Sequence, residues 1–440
     1  MKYIKNFGLV MLIGALLIWV SSAFVGSFSI SEQDIKSQLS ERQWNAMKIE
    51  LQDRVVDHSF SSSFSMGYTL RNIYDEVNER NQQEQNWDLV MYASKQDIGK
   101  SIVAKAMKSP VQEQSGLWLF LTFGLAFVGG LVFVIPNVWY LGKAGIKNHH
   151  VFQEASTNRG WVGWLVFVWL VGFYVLLYFH ADLIVPWYTI LDPAAMFVKN
   201  QAADQWFMYG VIYCTCMTVM GIRMIIKYRH SRYQVVRTCS VLFFQIAIAF
   251  LLAELLVRFN MPYYDFKNIW PLDYQFFFDW NLQKKAAAGS LGIFMIVWGV
   301  ALVVIGVPVF VYFFGKRWYC SWVCGCGGLA ETLGDPYRQL SDKSMKAWKI
   351  ERYLIHSVLV FAVIMTGMAL YSMFAETEVI LGFKTQNVQK TYGFLSGSVF
   401  SGVIGTGFYP VMGSRVWCRF GCPLAAYLGL VQRFKSRFRI

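Results

Sequence analysis

The chain has 440 residues, of which 55% are hydrophobic and only 15% charged, and carries a formal net charge of +13. Its apolar residues come in runs of about twenty, the length a helix needs to cross a hydrocarbon layer of about 30 Å. That excludes an ordinary water-soluble domain and makes the chain a polytopic membrane protein. Helices are the expected spanning elements, because lipid offers the backbone no hydrogen-bond partners and the runs lack the short alternation of a barrel.

In chain order, eight spans are predicted, at about 7–25, 117–141, 161–180, 206–226, 240–258, 291–314, 353–374 and 395–412. The first follows Lys2 and Lys5 and runs through "FGLVMLIGALLIWV". It is longer than a signal-peptide core and no Ala-x-Ala site follows, so residues 1–25 are expected to be an uncleaved anchor. Residues 26–115 are polar, with helical spacing in "SQLSERQWNAMKIELQDRVV", no cysteine and one histidine, His58. They form a small helical extracytoplasmic segment suited to partner docking or to capping the bundle. The stretch "SSSFSMGYTL" lacks the Gly-Ala-Thr context of a covalently attached flavin, so no flavin is expected.

Residues 116–290 are read as a transmembrane bundle. Within it Glu254 and Arg258 lie four apart near the end of the fifth span. Ionisable residues inside a membrane are candidates for function, here a quinone or proton-relay site; an i,i+4 pair at a helix end, with the arginine reaching for water, is the plainer reading. The following "MPYYDFKNIWPLDYQFFFDW" reads as an interfacial aromatic belt in preference to the lining of a quinone pocket. His149, His150, His180, His230 and His356 supply no two ligands at matching depth, so haem is not expected. Cys214 and Cys216 fall on different faces of the fourth span and read as small apolar packing residues.

Residues 291–440 carry the chemistry. "GKRWYCSWVCGCGGLAETLG" from Gly315 and "GSRVWCRFGCPLAAYLGL" from Gly413 both read Gly-x-Arg-x-aromatic-Cys-x-aromatic-x-Cys, and both continue into Leu-Ala-x-x-Leu-Gly after gaps differing by three residues. This is an internal repeat, with Trp322 and Phe420 as the matched aromatics between the cysteines. Placing the N-terminus inside puts 23 of the 40 Lys and Arg on inside segments with five acids, against ten Lys and Arg and thirteen acids in 26–115. The positive-inside rule then gives an N-in, C-in topology with both motifs on the cytoplasmic face, and no nucleic-acid partner is needed to explain the charge.

On a reducing face, closely spaced thiols favour metal ligation over disulfides. Cys320 with Cys324 and Cys418 with Cys422 each present a two-thiolate edge on one helical turn, and two such edges make the four ligands of a 4Fe-4S cluster. Cys326, in the three-residue insertion, is a fifth ligand, a replacement or a bystander. Arg317, Arg415 and Arg419 stand where they can offset the anionic cluster, and Trp318, Tyr319, Trp322, Trp417 and Phe420 where they can shield it. "CRFGCP" matches the closing fragment of the bacterial ferredoxin run, which favours iron–sulfur over a closed zinc site, though spacing alone leaves zinc open.

These paired Cys-x-x-x-Cys(-Pro) motifs behind transmembrane helices resemble the membrane-bound, polyferredoxin-like 4Fe-4S proteins of the NosR/NapH/CcoG group, over roughly 290–440. The resemblance implies electron transfer at a bacterial inner membrane, between a quinol or cytoplasmic donor and a partner redox protein, either ferredoxin-like or an exported reductase or oxidase. The chain is then an electron carrier or oxidoreductase component, with a maturation factor for a metalloenzyme or a redox sensor as the alternatives. Members of the group commonly continue into a cytoplasmic ferredoxin domain; this sequence stops at "QRFKSRFRI", which implies a truncated chain or a separate ferredoxin partner.

Overall fold

The computed structural model describes residues 2–92, 94–145, 148–434 and 436–437; the end at Ile440 lies outside them. The protein is all-α. Among the described residues, strands are confined to two short antiparallel pairs, Ser27–Phe28 with Met107–Lys108 and Val379–Ile380 with Phe383–Lys384. Among the described residues seven helices are long and apolar enough to cross a membrane: Tyr3–Phe24, Ser115–Tyr140, Trp161–Phe179, Gln205–Lys227, Arg232–Arg258, Gly289–Phe314 and Met345–Ala375.

The eighth predicted span, 395–412, departs from expectation. Helix runs from Thr385 into a π-helical stretch, Gly393–Ile404, breaks into turns at 405–408, and resumes only as Tyr409–Met412. The run stays apolar, which is what hydropathy sees. Its glycines at 393, 397, 402, 405 and 407 weaken helix, and Pro410 cannot donate to a preceding turn.

The chain divides into two compact units, Met1–Pro136 with Val175–Ile212, and Asn137–Tyr174 with Tyr213–Ile440. In the first, the anchor helix packs closely on its neighbour. A Cβ on Gly8 would lie 2.5 Å from the Phe133 nitrogen and one on Gly129 2.8 Å from Met11 Cβ, so small residues let the two backbones approach. Residues 26–115 fold as helices Glu32–Gln38, Glu41–Arg54, Ser63–Gln83 and Lys95–Ala106, begun by capping serines at 31, 40 and 62. Ile35, Leu51, Ile73, Val77 and Ile102 are buried between them. Arg71 ties this layer to the 175–212 segment: Nε donates to Asp182 Oδ2 at 2.6 Å and Nη2 to the Phe179 carbonyl at 2.8 Å.

The second unit holds both cysteine motifs. Its segment 259–288 departs in part from the aromatic-belt expectation, because Tyr264, Ile269, Phe276 and Phe278 are buried while Tyr263 and Trp280 stay exposed. The Tyr264 hydroxyl donates to the Met295 carbonyl at 3.1 Å, Trp298 Nε1 to the Phe266 carbonyl at 2.8 Å, and Trp270 Nε1 to Thr366 Oγ1 at 3.0 Å. Met295, Trp298 and Thr366 lie well inside their helices. The Tyr319 hydroxyl, beyond the far end of Gly289–Phe314, reaches the Lys267 carbonyl at 3.0 Å. The loop therefore runs back along that helix to the cysteine motif. Irregular backbone at this depth is tolerated where protein surrounds it.

Candidate functional site

The two motifs share several backbone features, not just a spelling. Gly315 (φ 76°, ψ 171°) and Gly413 (φ 84°, ψ 177°) adopt one conformation that only glycine takes readily. Each amide closes the preceding turn, Gly315 N to the Val311 carbonyl at 2.9 Å and Gly413 N to that of Tyr409 at 3.0 Å. Two residues on, Arg317 and Arg415 each accept from the amide four further along, at 3.0 Å in both. The second cysteine of each pair then bonds back across the loop, Cys324 N to the Tyr319 carbonyl at 2.8 Å and Cys422 N to that of Trp417 at 3.0 Å.

Cys324 and Cys422 both take extended backbone and each precedes a helix, Gly325–Glu331 and Pro423–Phe434. The amides two and three residues ahead face each sulfur: Cys326 and Gly327 for Cys324, Leu424 and Ala425 for Cys422. The inserted glycines are spatial requirements. A Cβ on Gly327 would lie 1.8 Å from the Cys320 carbonyl oxygen, and one on Gly328 2.3 Å from Val241 Cγ1. Neighbouring helices hold the loop carbonyls, with Gln245 Nε2 donating to Val323 at 2.5 Å and Ser240 Oγ to Trp322 at 3.0 Å.

All five cysteines meet in one core. Cys324 and Cys422 are buried with Ile269, Val307, Val311, Tyr319, Trp417, Leu424 and Leu428, and Cys320, Cys326 and Cys418 pack against them. The thiols feel one another across the repeat. Burial, then the charges of Cys324, Cys418 and Cys422, push Cys320 up; burial and Cys324 push Cys418 up to about 12. Cys324 alone is pulled down, first by the Cys326 thiol and then by its facing amides and Lys267. Cys326 is pushed up by the same sharing, and Cys422 by burial. Ionising these thiols together in an apolar core requires positive charge among them, which iron ions would supply while displacing the protons. The donor set, the wall and the amides fit a 4Fe-4S cluster.

The three arginines part company. Arg415 lowers the cost of charging Cys320 and Cys418 and pairs with Glu331, which also holds Arg237. Arg419 is engaged by Glu351 at 3.0 Å, and Arg317 is exposed. The backbone explains the difference: Arg415 has φ 70°, whereas Arg317, its counterpart, has φ −90°. Lys267 is a cation that spacing did not reveal, since it arrives on the returning loop about fifty residues upstream. Among the aromatics Trp318, Tyr319 and Trp417 line the core. Trp322 stands edge-on to Tyr233, 5.6 Å between centroids, and Phe420 lies beneath Arg419 at 5.1 Å. Glu254 is buried and Arg258 exposed at the end of Arg232–Arg258, outside this core.

Fold and site together define an all-α, multi-pass membrane protein with a sulfur-lined cofactor site built from two repeated motifs. A 4Fe-4S binding domain model matches residues 294–344 and 395–440, which include both motifs. The Regulatory protein NosR of Stutzerimonas stutzeri is 27% identical over 129 residues, covering 28% of this chain and 17% of that protein. The match therefore spans under a fifth of the relative's length. No solved structure matches. These findings support a NosR-like membrane 4Fe-4S protein, in line with the resemblance carried by the motifs, and an iron–sulfur cluster as its cofactor.

Proposed function

We propose that this protein relays single electrons through a 4Fe-4S cluster held by Cys320, Cys324, Cys418 and Cys422, with Cys326 the next candidate ligand. The observation that carries this is the collection of all five sulfurs into one apolar core by two loops that share their glycine turn and their cysteine amide hydrogen bonds. When bound, the cluster supplies a one-electron couple whose potential follows local charge and hydrogen bonding. The chain's residues do the rest: thiolates bind, Arg415 and Lys267 offset negative charge, amides orient Cys324 and Cys422, and the aliphatic wall excludes water.

The relay runs between a quinol or cytoplasmic donor and a partner redox protein, at a bacterial inner membrane with the motifs on the cytoplasmic side. Buried Glu254, with Arg258, remains the proposed place for quinone or proton handling. The test is iron and acid-labile sulfide on anaerobically purified protein, with the EPR spectrum after reduction. The expectation is about four of each per cluster and a reduced-cluster signal lost in Cys418→Ser. Zinc in place of iron, or iron unaffected by Cys418→Ser, overturns the ligand set.

A second reading, redox regulation, is favoured by the relative's being called a regulatory protein. It predicts a partner bound in one oxidation state and no turnover with quinol, whereas a relay turns over. A maturation role would instead show an apo-metalloenzyme bound by residues 26–115.

A further inference from the structure

We propose that the indole N–H groups of Trp417 and Trp318, one from each motif, donate hydrogen bonds to sulfur of the bound cluster and hold its reduction potential up. The proposal rests on the 4Fe-4S reading above. Trp417 directly precedes Cys418, is 6% exposed, and belongs to the core that contains Cys324 and Cys422. Trp318 precedes Cys320 by two residues, packs against the same core, and is stacked on Phe310 with 4.6 Å between centroids.

The Nε1 atoms of both are buried and have no hydrogen-bond partner among the described residues. Buried donors in folded proteins are nearly always satisfied, and an indole can only donate. Ile269, Val307, Val311, Leu424 and Leu428 in this core have no side-chain acceptor, and the hydroxyls of Tyr319 and Tyr427 are engaged with the Lys267 and Val303 carbonyls. A cluster held by the cysteines would bring an acceptor into this core, because sulfide or thiolate sulfur of a cubane has that chemistry. The Trp417 ring packs directly on Gly421, where a Cβ would lie 2.6 Å from its Cε3 and Cζ3.

A cluster that accepts an electron becomes more negative, so an N–H···S bond is stronger in the reduced state and favours it. Trp417→Phe keeps an aromatic ring and removes the donor. Expected is a potential more negative by up to a tenfold change in the oxidised-to-reduced ratio at fixed ambient potential, about 59 mV for one electron. Iron and sulfide content should stay at the parent's level, and one exchangeable-proton coupling to the reduced cluster, read by ENDOR after transfer to D2O, should disappear. Trp318→Phe should act in the same direction.

An unchanged potential with both proton couplings retained in fully loaded Trp417→Phe and Trp318→Phe overturns the proposal. Where a phenylalanine variant fails to load, benzothienylalanine at the same position preserves the ring's shape and removes only the N–H; an unchanged potential there overturns it equally. A parent without iron would sink the 4Fe-4S reading first, so the two failures are distinguishable.

Discussion

Gly413 sits at φ 84° and ψ 177°, and a Cβ there would lie 2.4 Å from the Ser341 nitrogen, so two independent penalties act at one position. The backbone strain alone is on the order of 1–3 kcal/mol. Gly413→Ala should therefore lower the unfolding temperature in detergent and reduce iron per chain. Gly429 is the control, because a Cβ on it meets nothing within 4 Å and it lies inside Pro423–Phe434. Gly429→Ala should leave iron content unchanged and, from helix propensity, raise stability by about 0.5–1 kcal/mol. Equal losses from both alanines would contradict the role given to the Gly413 conformation. Repeated glycines are legible in a sequence, but the reason for them is not: the same letter marks a required backbone angle at 413 and an incidental residue at 429.

Behind the first motif, Asp335 Oδ2 accepts from Arg223 Nη1 at 2.9 Å and from Lys227 Nζ at 2.7 Å, and all three side chains are buried. This joins the helix Gln205–Lys227 to the turn after Gly325–Glu331, which carries Cys326 at its second residue. Removing one member of a buried ionic group costs about 3–5 kcal/mol, because the remaining charge loses its compensation. Asp335→Asn should lower stability by that order, measured by thermal unfolding of the solubilised protein. Burial alone would raise the Asp335 carboxyl, but Lys227 and Arg223 outweigh it and hold it below the usual carboxylate range. A group whose folded pKa is depressed adds stability above its unfolded value of about 4 and loses it as pH falls through the folded value. The parent should therefore lose part of its stability below about pH 4, and Asp335→Asn should lack that component; a parallel acid profile in the two proteins would count against the pairing. Hydropathy and repeat spacing are local signals, so the spans and the paired cysteines could be read from the sequence. Asp335 with Arg223, and Lys267 with Cys324, join residues far apart in the chain, and no periodicity reports them. The loop 259–288 misled for a related reason, since an aromatic belt and a buried aromatic wall have the same composition.

At the scale of the whole molecule, the proposed orientation rests on charge. The proposed inside segments hold 23 of the 40 Lys and Arg, and 26–115 is slightly acidic, a bias that places Lys343 inside and Lys48 outside. Both residues are exposed, Lys343 ahead of Met345–Ala375 and Lys48 on Glu41–Arg54. A membrane-impermeant maleimide distinguishes the two sides in intact cells whose outer barrier has been opened. Lys48→Cys should label there, and Lys343→Cys only after the inner membrane is broken. The native thiols are an internal reference: the five of the motif core should stay unlabelled while the cluster is bound and become reactive after it is removed by chelation under oxidising conditions. The interrupted segment between Thr385 and Met412 is what makes this measurement decisive, because seven uninterrupted spans alone leave the ends on opposite sides, whereas a crossing through the broken 393–412 segment restores both ends to the inside. A cysteine at Lys343 and one at Arg433, which lies after that segment, label from the same side if the segment crosses together with Met345–Ala375. Labelling of Arg433→Cys from outside, with Lys343→Cys protected, would show that the segment does not cross and would remove the cytoplasmic placement of the second motif.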